Sequence, residues 1–233
     1  MNELVQLESG LLGSVEAVED LSRAENARIL VLSDTHGHYD VMEEIIRSFG
    51  PGCSALCFAG DGMWDIVQYL ENALESDRLR EALPPVVAFV SGNGDGDQYR
   101  VGLPDEGELY GQTRTGLSMT VPSRQILRAC GYGILIVHGH RHSVDVNLDI
   151  LVDSAHALDC DIAIYGHTHI PMSEAFSHIT VLNPGSPARP RGHSEPSFAM
   201  LELDSNSTSP KTSFYIISKG FMGSWYFDPS YLG

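Results

Sequence analysis

Five apolar runs in this chain are each followed by a side chain that can bind a metal ion, with glycine next to one of these side chains each time. RILVLS, beginning at Arg28, is followed by Asp34 and His36; ALCFAG by Asp61; VVAFVSG by Asn93; GILIV by His138 and Gly139; and DIAIYG by His167 and His169. Short aliphatic and β-branched runs bounded by glycine read as buried strands. Open sheets built from such strands carry their sites at the strands' carboxyl ends. The pattern therefore constrains the fold, which must bring five strand ends to one crevice, and the chemistry gathered there.

Between the first three runs lie segments of helical periodicity, YDVMEEIIRSF and a stretch from about Met63 to Glu81 that closes at Pro84-Pro85. Strand–helix alternation of this kind implies parallel pairing covered by helices. Further on, RQILRAC and GILIVHG flank Gly131-Tyr132-Gly133 as a hairpin, and a helix is expected from about Val146 to Leu158. HITVLN, SFAMLELD and SFYIIS, joined by Gly, Pro, Asn and Ser turns, read as an antiparallel meander whose polar hairpin tip is SNSTSPKT. A βαβ half followed by a hairpin-rich half predicts two sheets packed together with helices outside. Residues 1–27 read as an amphipathic lead-in, one helix ending near Asn26, with no role assigned. The domain then runs over 28–233, and 92–125, rich in Gly, Asp and Thr, reads as a long functional loop or small cap inserted near 94–125.

Composition narrows the function. The 233 residues are 42% apolar and 19% charged, an ordinary mix that supports a sizeable core. The charge balance is unusual, since 31 acidic against 14 basic residues leave −17 at pH 7. Such a surface repels nucleic-acid backbones and anionic lipid, which argues against nonspecific binding to either. A small anionic substrate stays open, because bound divalent cations reverse the sign locally. The opening MNELVQLESG is acidic where a secretory leader is basic, and no run of about 18 apolar residues occurs. Cys53, Cys57, Cys130 and Cys160 lie in or beside apolar segments without C-x-x-C spacing. The expectation is a cytoplasmic protein with reduced thiols and no membrane span.

Asp34 and Asp61, the amide of Asn93, and the imidazoles of His36, His138, His167 and His169 make seven donors. That is too many for one tetrahedral ion and suits two divalent ions sharing a carboxylate, with Asp61, central in the order, as the natural bridge. In Asp34-Thr35-His36 the donors are two residues apart, so extended backbone points both the same way. His167-Thr168-His169 repeats the device, and its two imidazoles could serve different ions. Two divalent cations less two carboxylates leave about +2 at the site, which draws phosphate esters. A bound water whose pKa falls to about 7 is then a hydroxide nucleophile that needs no protein base. The expected reaction is phosphoester hydrolysis by in-line attack.

The ordered series SDTHG, GDG, GNGD, HGH and GHTH, followed by LNPGSPARPR, resembles the calcineurin-like metallophosphoesterase superfamily, in particular its small YfcE-type phosphodiesterase branch. The resemblance covers about residues 28–220. It implies an α/β fold, a four-layer αββα sandwich of two mixed β-sheets flanked by helices. It also implies two divalent metal ions, commonly Mn²⁺, a homodimer, and hydrolysis of phosphodiesters or phosphomonoesters. Carried over by position, Asp34, His36, Asp61 and His169 resemble the ligands of a first metal, and Asp61, Asn93, His138 and His167 those of a second. Asn183-Pro184-Gly185-Ser186 matches a loop that returns near the site; Arg189 and Arg191 after it either hold a phosphate oxygen or sit on the rim. Nitrogen and oxygen donors also accept Fe, Zn, Ni, Co or Mg, so the native metal stays open.

One departure matters. Many members carry His after the G-N pair, credited with protonating the leaving group or steadying the transferring phosphoryl; here Gly94 stands there, followed by Asp95. The small branch commonly lacks this His too. General-acid help is worth about 10²–10⁴-fold, so its absence favours esters with good leaving groups unless His140, Asp95 or His38 substitutes. His138-x-His140-x-His142 is also similar to the H-x-H-x-D-H sites of other metallo-hydrolases, but 142 is His where Asp is needed, and Asp34, His36 and Asn93 are left unused. The alternatives are a noncatalytic scaffold on the same fold, as in the retromer subunit that resembles this branch, and a phosphomonoesterase or phosphoprotein phosphatase. That scaffold subunit departs at a metal histidine, whereas all seven positions are intact here, which favours the enzyme.

Overall fold

The computed structural model describes residues 2–102, 117–221 and 223–230. In chain order the elements are β1 (Leu12–Gly13), α1 (Val15–Arg23), β2 (Asn26–Leu32), α2 (Tyr39–Phe49), β3 (Ala55–Phe58), α3 (Met63–Glu75), α4 (Asp77–Ala82), β4 (Val86–Phe89), β5 (Gln98–Val101) and β6 (Leu117–Thr120). They continue as β7 (Arg124–Ala129), β8 (Tyr132–Val137), α5 (Asp149–Ala157), β9 (Ile162–Ile164), β10 (Met172–Phe176), β11 (Ile179–Asn183), β12 (Ser197–Asp204), β13 (Lys211–Lys219) and β14 (Trp225–Ser230). One sheet has the order β1-β4-β3-β2-β12-β13-β14, the second β10-β11-β9-β8-β7, and a two-stranded ribbon pairs β5 with β6. Strands β2, β3 and β4 run parallel to one another, as do β8, β9 and β11, while β12–β14 form an antiparallel meander; HITVLN, expected to open that meander, is instead β11 of the second sheet, parallel to β9. Both large sheets are therefore mixed.

The layers follow from alternation along apolar strands, whose successive side chains face opposite ways. Ile29 and Val31 of β2 meet Ala55, Cys57, Ile134, Ile136, Ile162 and Ile164 between the two sheets. Leu30 and Leu32 point the other way and pack with Phe58, Phe89, Met42 and Ile45 of α2, and Ile66 and Leu70 of α3. On the far side, Leu135, Val137 and Ala163 cover Leu151 and Ala155 of α5. Helix, sheet, sheet, helix is the four-layer sandwich expected from the sequence. The four cysteines are free and buried, and no helix among the described residues is long and apolar enough to cross a membrane.

Several boundaries differ from the sequence reading. The lead-in contains a strand as well as a helix: β1 pairs antiparallel with β4, and α1 begins at the Ser14 cap, whose Oγ accepts from the Ala17 amide at 3.1 Å, and stops at Arg23. The Asn2 side-chain amide donates to Pro84 O and Pro85 O at 2.9 and 3.0 Å, which ties this segment to the edge of β4. The helix expected to run on to Glu81 breaks at Ser76, which is extended and caps α4 by accepting from the Leu79 amide. Within 92–125 the ribbon β5–β6 is ordered, and 103–116 lie outside the described residues. Strands β10 and β14 were not foreseen; each sits at a sheet edge with half-exposed side chains and lacks a continuous apolar run.

Candidate metal centre

Each of the seven expected donors leaves a strand end: Asp34 and His36 after β2, Asp61 after β3, Asn93 after β4, His138 after β8, and His167 and His169 after β9. Five of them curl sharply there. Asp34, His36, Asp61, His167 and His169 have φ of 56°, 48°, 55°, 68° and 58°. The D-x-H and H-x-H pairs are therefore not the extended segments that their spacing suggested; they converge because the chain turns left-handed at each donor. That conformation costs an L-residue about 1–3 kcal/mol and persists only where the surroundings over-determine it.

The surroundings here do so. Asp34 N donates to Gly60 O at 2.9 Å, His36 N to Asp61 O at 3.0 Å, and His167 N to Asp34 Oδ2 at 3.0 Å. Ser186 Oγ donates to Asp34 O at 2.7 Å, and Asn183 Nδ2 to Gly166 O and Thr168 Oγ1 at 2.9 and 3.0 Å, so the Asn183–Ser186 loop does return to these turns. Two glycines are needed for the close approach: a Cβ at Gly92 would lie 2.0 Å from Asp61 Oδ1, and one at Gly166 would lie 1.9 Å from Ser33 Oγ and 2.6 Å from Asp34 Oδ2.

The side chains gather in two triads, Asp34–His36–His169 and Asp34–Asp61–His138, with donor atoms all within 4.8 Å in each. His169 Nε2 is 3.2 Å from Asp34 Oδ1 and 3.1 Å from His36 Nε2. His138 Nε2 is 3.5 Å from Asp61 Oδ2 and 3.9 Å from Asp34 Oδ1. Asp61 Oδ2 also stands 3.9 Å from His36 Nε2, so both carboxylates reach toward both triads.

The tautomers are fixed from outside. His138 Nδ1 donates to Ala59 O at 2.7 Å, and His169 Nδ1 donates to Arg189 O, leaving both Nε2 lone pairs free in the neutral rings. Asp34 Oδ1 and His138 Nε2 are buried without a hydrogen-bond partner. Such groups cost about 1–3 kcal/mol each when left unmatched, and two aimed into one space fit a cation.

Burial pushes the Asp61 carboxyl up, but the neighbouring His138, the Gly94 amide and His36 outweigh it and hold it well below the usual carboxylate range. Burial lowers the His36 pKa more than Asp34 and Asp61 raise it. In His138 burial is outweighed by Asp61 and Asp34, and the pKa rises. The lone pairs required of these donors are thus present once a cation competes with the proton.

His167 lies outside both triads. Asn93 is exposed. The His167 ring centroid is 5.2 Å from that of His138, and its Nε2 is 2.8 Å from Asp145 Oδ2, which leaves Nδ1 as its other donor. His140 opens a one-turn 3₁₀ helix; its ring lies 5.4 Å from His138 and 6.1 Å from His167, and its Nδ1 is buried without a partner. Burial, with His138, Arg141 and His167 adding to it, lowers its pKa. His38 stands at the cap position of α2 without a capping bond.

Asp95 has an occupation that differs from proton donation. Its Oδ2 accepts from Asp61 N at 2.7 Å and Gly92 N at 2.9 Å, and its Oδ1 from Gly62 N at 3.1 Å and Met63 N at 2.9 Å. A carboxylate holding four amides acts as an acceptor that locks the Asp61 turn to the Asn93 loop. Two residues of the site were missed in the sequence. Asp65, 2% exposed, accepts from Thr35 Oγ1 and from Gly37 N at 3.0 Å and so braces the first D-x-H turn; its only signal was a carboxylate in the first turn of the helix after G-D-G. Asp145 is exposed and gave no signal. Arg189 and Arg191 are tethered to the His169 turn through their backbones, with exposed side chains.

Two mixed sheets between helices, with Asp, Asn and His side chains at the carboxyl ends of their strands, are the architecture of the metallophosphoesterase fold. The chain belongs to the calcineurin-like phosphoesterase superfamily, whose domain matches residues 28–206. It is 28% identical over 185 residues to the phosphodiesterase YfcE of Escherichia coli K12, covering 76% of this chain and 88% of that one. It is 26% identical over 181 residues to the probable metallophosphoesterase YsnB of Bacillus subtilis, covering 78% and 87%. The fold is shared with vacuolar protein sorting 29 of Cryptosporidium parvum at a TM-score of 0.58 and 19% identity, over 89% of this chain and 98% of that one.

Proposed function

We propose that residues 28–233 form a dinuclear metal-dependent phosphodiesterase, with residues 1–27 as its N-terminal extension. The observation that carries this reading is the pair of unpartnered buried donors, Asp34 Oδ1 and His138 Nε2, inside two triads that share Asp34. Asp34, His36, Asp61 and His169 would hold one ion, and Asp61, Asn93, His138 and His167 the other. Two divalent ions supply Lewis acidity toward phosphoryl oxygens and a nucleophile at neutral pH. The chain's residues set the geometry: the left-handed turns aim the donors, Asp65 and Asp95 brace the turns, and Arg189 and Arg191 offer positive charge at the rim. Gly94 presents only its N–H, donated to Asp61 Oδ1 at 2.7 Å, and no imidazole. A leaving group is thus poorly assisted from that side, which favours diesters with good leaving groups over phosphoprotein serine or threonine esters. Mn²⁺ is the first ion to test, with Fe, Zn, Ni, Co and Mg as the others that this donor set accepts.

The test is elemental analysis of chelator-treated and reloaded protein, thermal melts, and a panel of phosphomonoesters, diesters and nucleotides with each metal. Two ions per chain are expected, with fastest turnover on diesters. Metal at about 100 times its Kd should raise the melting temperature by about 5–10 °C per bound ion for a chain of this size. No uptake and no hydrolysis would overturn the reading in favour of a noncatalytic scaffold.

His140 supplies the acid in this reading. His140→Ala should reduce kcat by an amount that grows with leaving-group pKa, up to about 10²-fold for poor leaving groups. A series of aryl diesters measures this; a loss equal across the series would remove His140 from proton transfer.

A further inference from the structure

Large aromatic side chains are rarely left in water, yet Trp64 is 68% exposed three residues after Asp61. It lies in the first turn of α3, directly beyond the G-D-G turn. Its ring leans on Tyr99 with centroids 4.9 Å apart and planes at 81°, while Tyr99 itself is 5% exposed. Tyr99 Oη accepts from Gly96 N at 2.8 Å, inside the loop that carries Asn93, and the neighbouring Met63 amide is held by Asp95. The indole is therefore fixed to the same loops as two of the candidate donors while most of its surface stays open. Apolar side chains are also exposed beside two other donors: Val146, 82% exposed, follows the Asp145 that holds His167, and Ile170, 42% exposed, follows His169.

We infer that Trp64 is the platform for a planar aromatic group carried on the phosphoester substrate, which narrows the substrate class to diesters with an aryl or nucleobase arm. This rests on the phosphodiesterase reading above. An indole anchored to the loops that carry Asp61 and Asn93 and open to water is suited to stacking, an interaction that is tolerant of ring identity and worth about five- to hundredfold in affinity per ring. Both sources, an aryl ester and a nucleotide, share that chemistry.

The chain has two tryptophans, so Trp225→Phe leaves Trp64 as the sole indole. In this variant of the 233-residue chain, phenylphosphonate and adenosine 5′-monophosphate should each quench the fluorescence saturably, and methylphosphonate should not. Quenching by only one of the aromatic probes also supports the inference and names the source of the ring. Calorimetric titration of the Mn²⁺-loaded chain with the same probes gives the ratio of phenylphosphonate to methylphosphonate affinity. That ratio should fall about five- to hundredfold in Trp64→Ala and be largely retained in Trp64→Tyr. Equal response to all three probes, or a ratio unmoved by Trp64→Ala, would overturn the inference even if diesters are hydrolysed. Aromatic discrimination without any hydrolysis would instead remove the catalytic reading and keep the platform.

Discussion

Asp61→Asn is expected to lower kcat/KM for diesters by about 10³-fold, because several kcal/mol of transition-state charge stabilisation depend on the ions it helps hold. Asp61 Oδ2 faces His138 Nε2 at 3.5 Å and His36 Nε2 at 3.9 Å, so one oxygen serves both triads. Its Oδ1 is already taken by the Gly94 amide. The amide variant keeps the volume and, with its oxygen toward Gly94, turns an NH₂ toward two imidazole nitrogens where a lone pair and a negative charge are needed. Metal content should therefore drop at both positions together, which elemental analysis reads directly. The metal-free variant should melt somewhat below metal-free wild type near neutral pH, since burial of the ionised Asp61 carboxylate is outweighed by His138, the Gly94 amide and His36, and the amide side chain gives that stabilisation up. Full turnover with two ions still bound would end the bridging role of Asp61.

Much of the fold was legible because its strands are buried on both faces. An apolar run such as RILVLS needs no long-range knowledge to be read as a strand, and the metal-capable side chains that follow it, with a glycine close by, mark its carboxyl end. What local pattern could not supply was backbone curvature: spacing alone suggested extended D-x-H and H-x-H segments, whereas the left-handed turns at Asp34, His36, His167 and His169 are imposed by bonds from Gly60, Asp61, Asp34 and Asn183, brought there by the tertiary fold. The edge strands β10 and β14 were invisible for the opposite reason, since half-exposed side chains leave no apolar signature. Asp95 was legible as a polar residue of the site but not in its role, because a sequence does not show four amide donors converging on one carboxylate.

Asp95 is where the two roles separate most sharply. If it delivered a proton, Asp95→Asn would spare stability and metal binding and slow the reaction in proportion to leaving-group pKa. As a clamp on Asp61 N, Gly62 N, Met63 N and Gly92 N, it gives the opposite pattern. Asp95→Ala leaves those donors to water or to nothing, a loss of about 3 kcal/mol, or ~6–12 °C in melting temperature for a chain of this size. Asp95→Asn retains one accepting oxygen and should fall between. Metal affinity should drop about 10–100-fold in Asp95→Ala, as for other residues that orient ligands without touching the ion, and kcat/KM should fall by a similar factor for every leaving group. Gly94 makes the clamp necessary: a glycine beside Asn93 has no side chain to anchor and loses more backbone freedom on ordering than any other residue. The four amide bonds of Asp95 offset that loss by tying the Asn93 loop to the turn that presents Asp61.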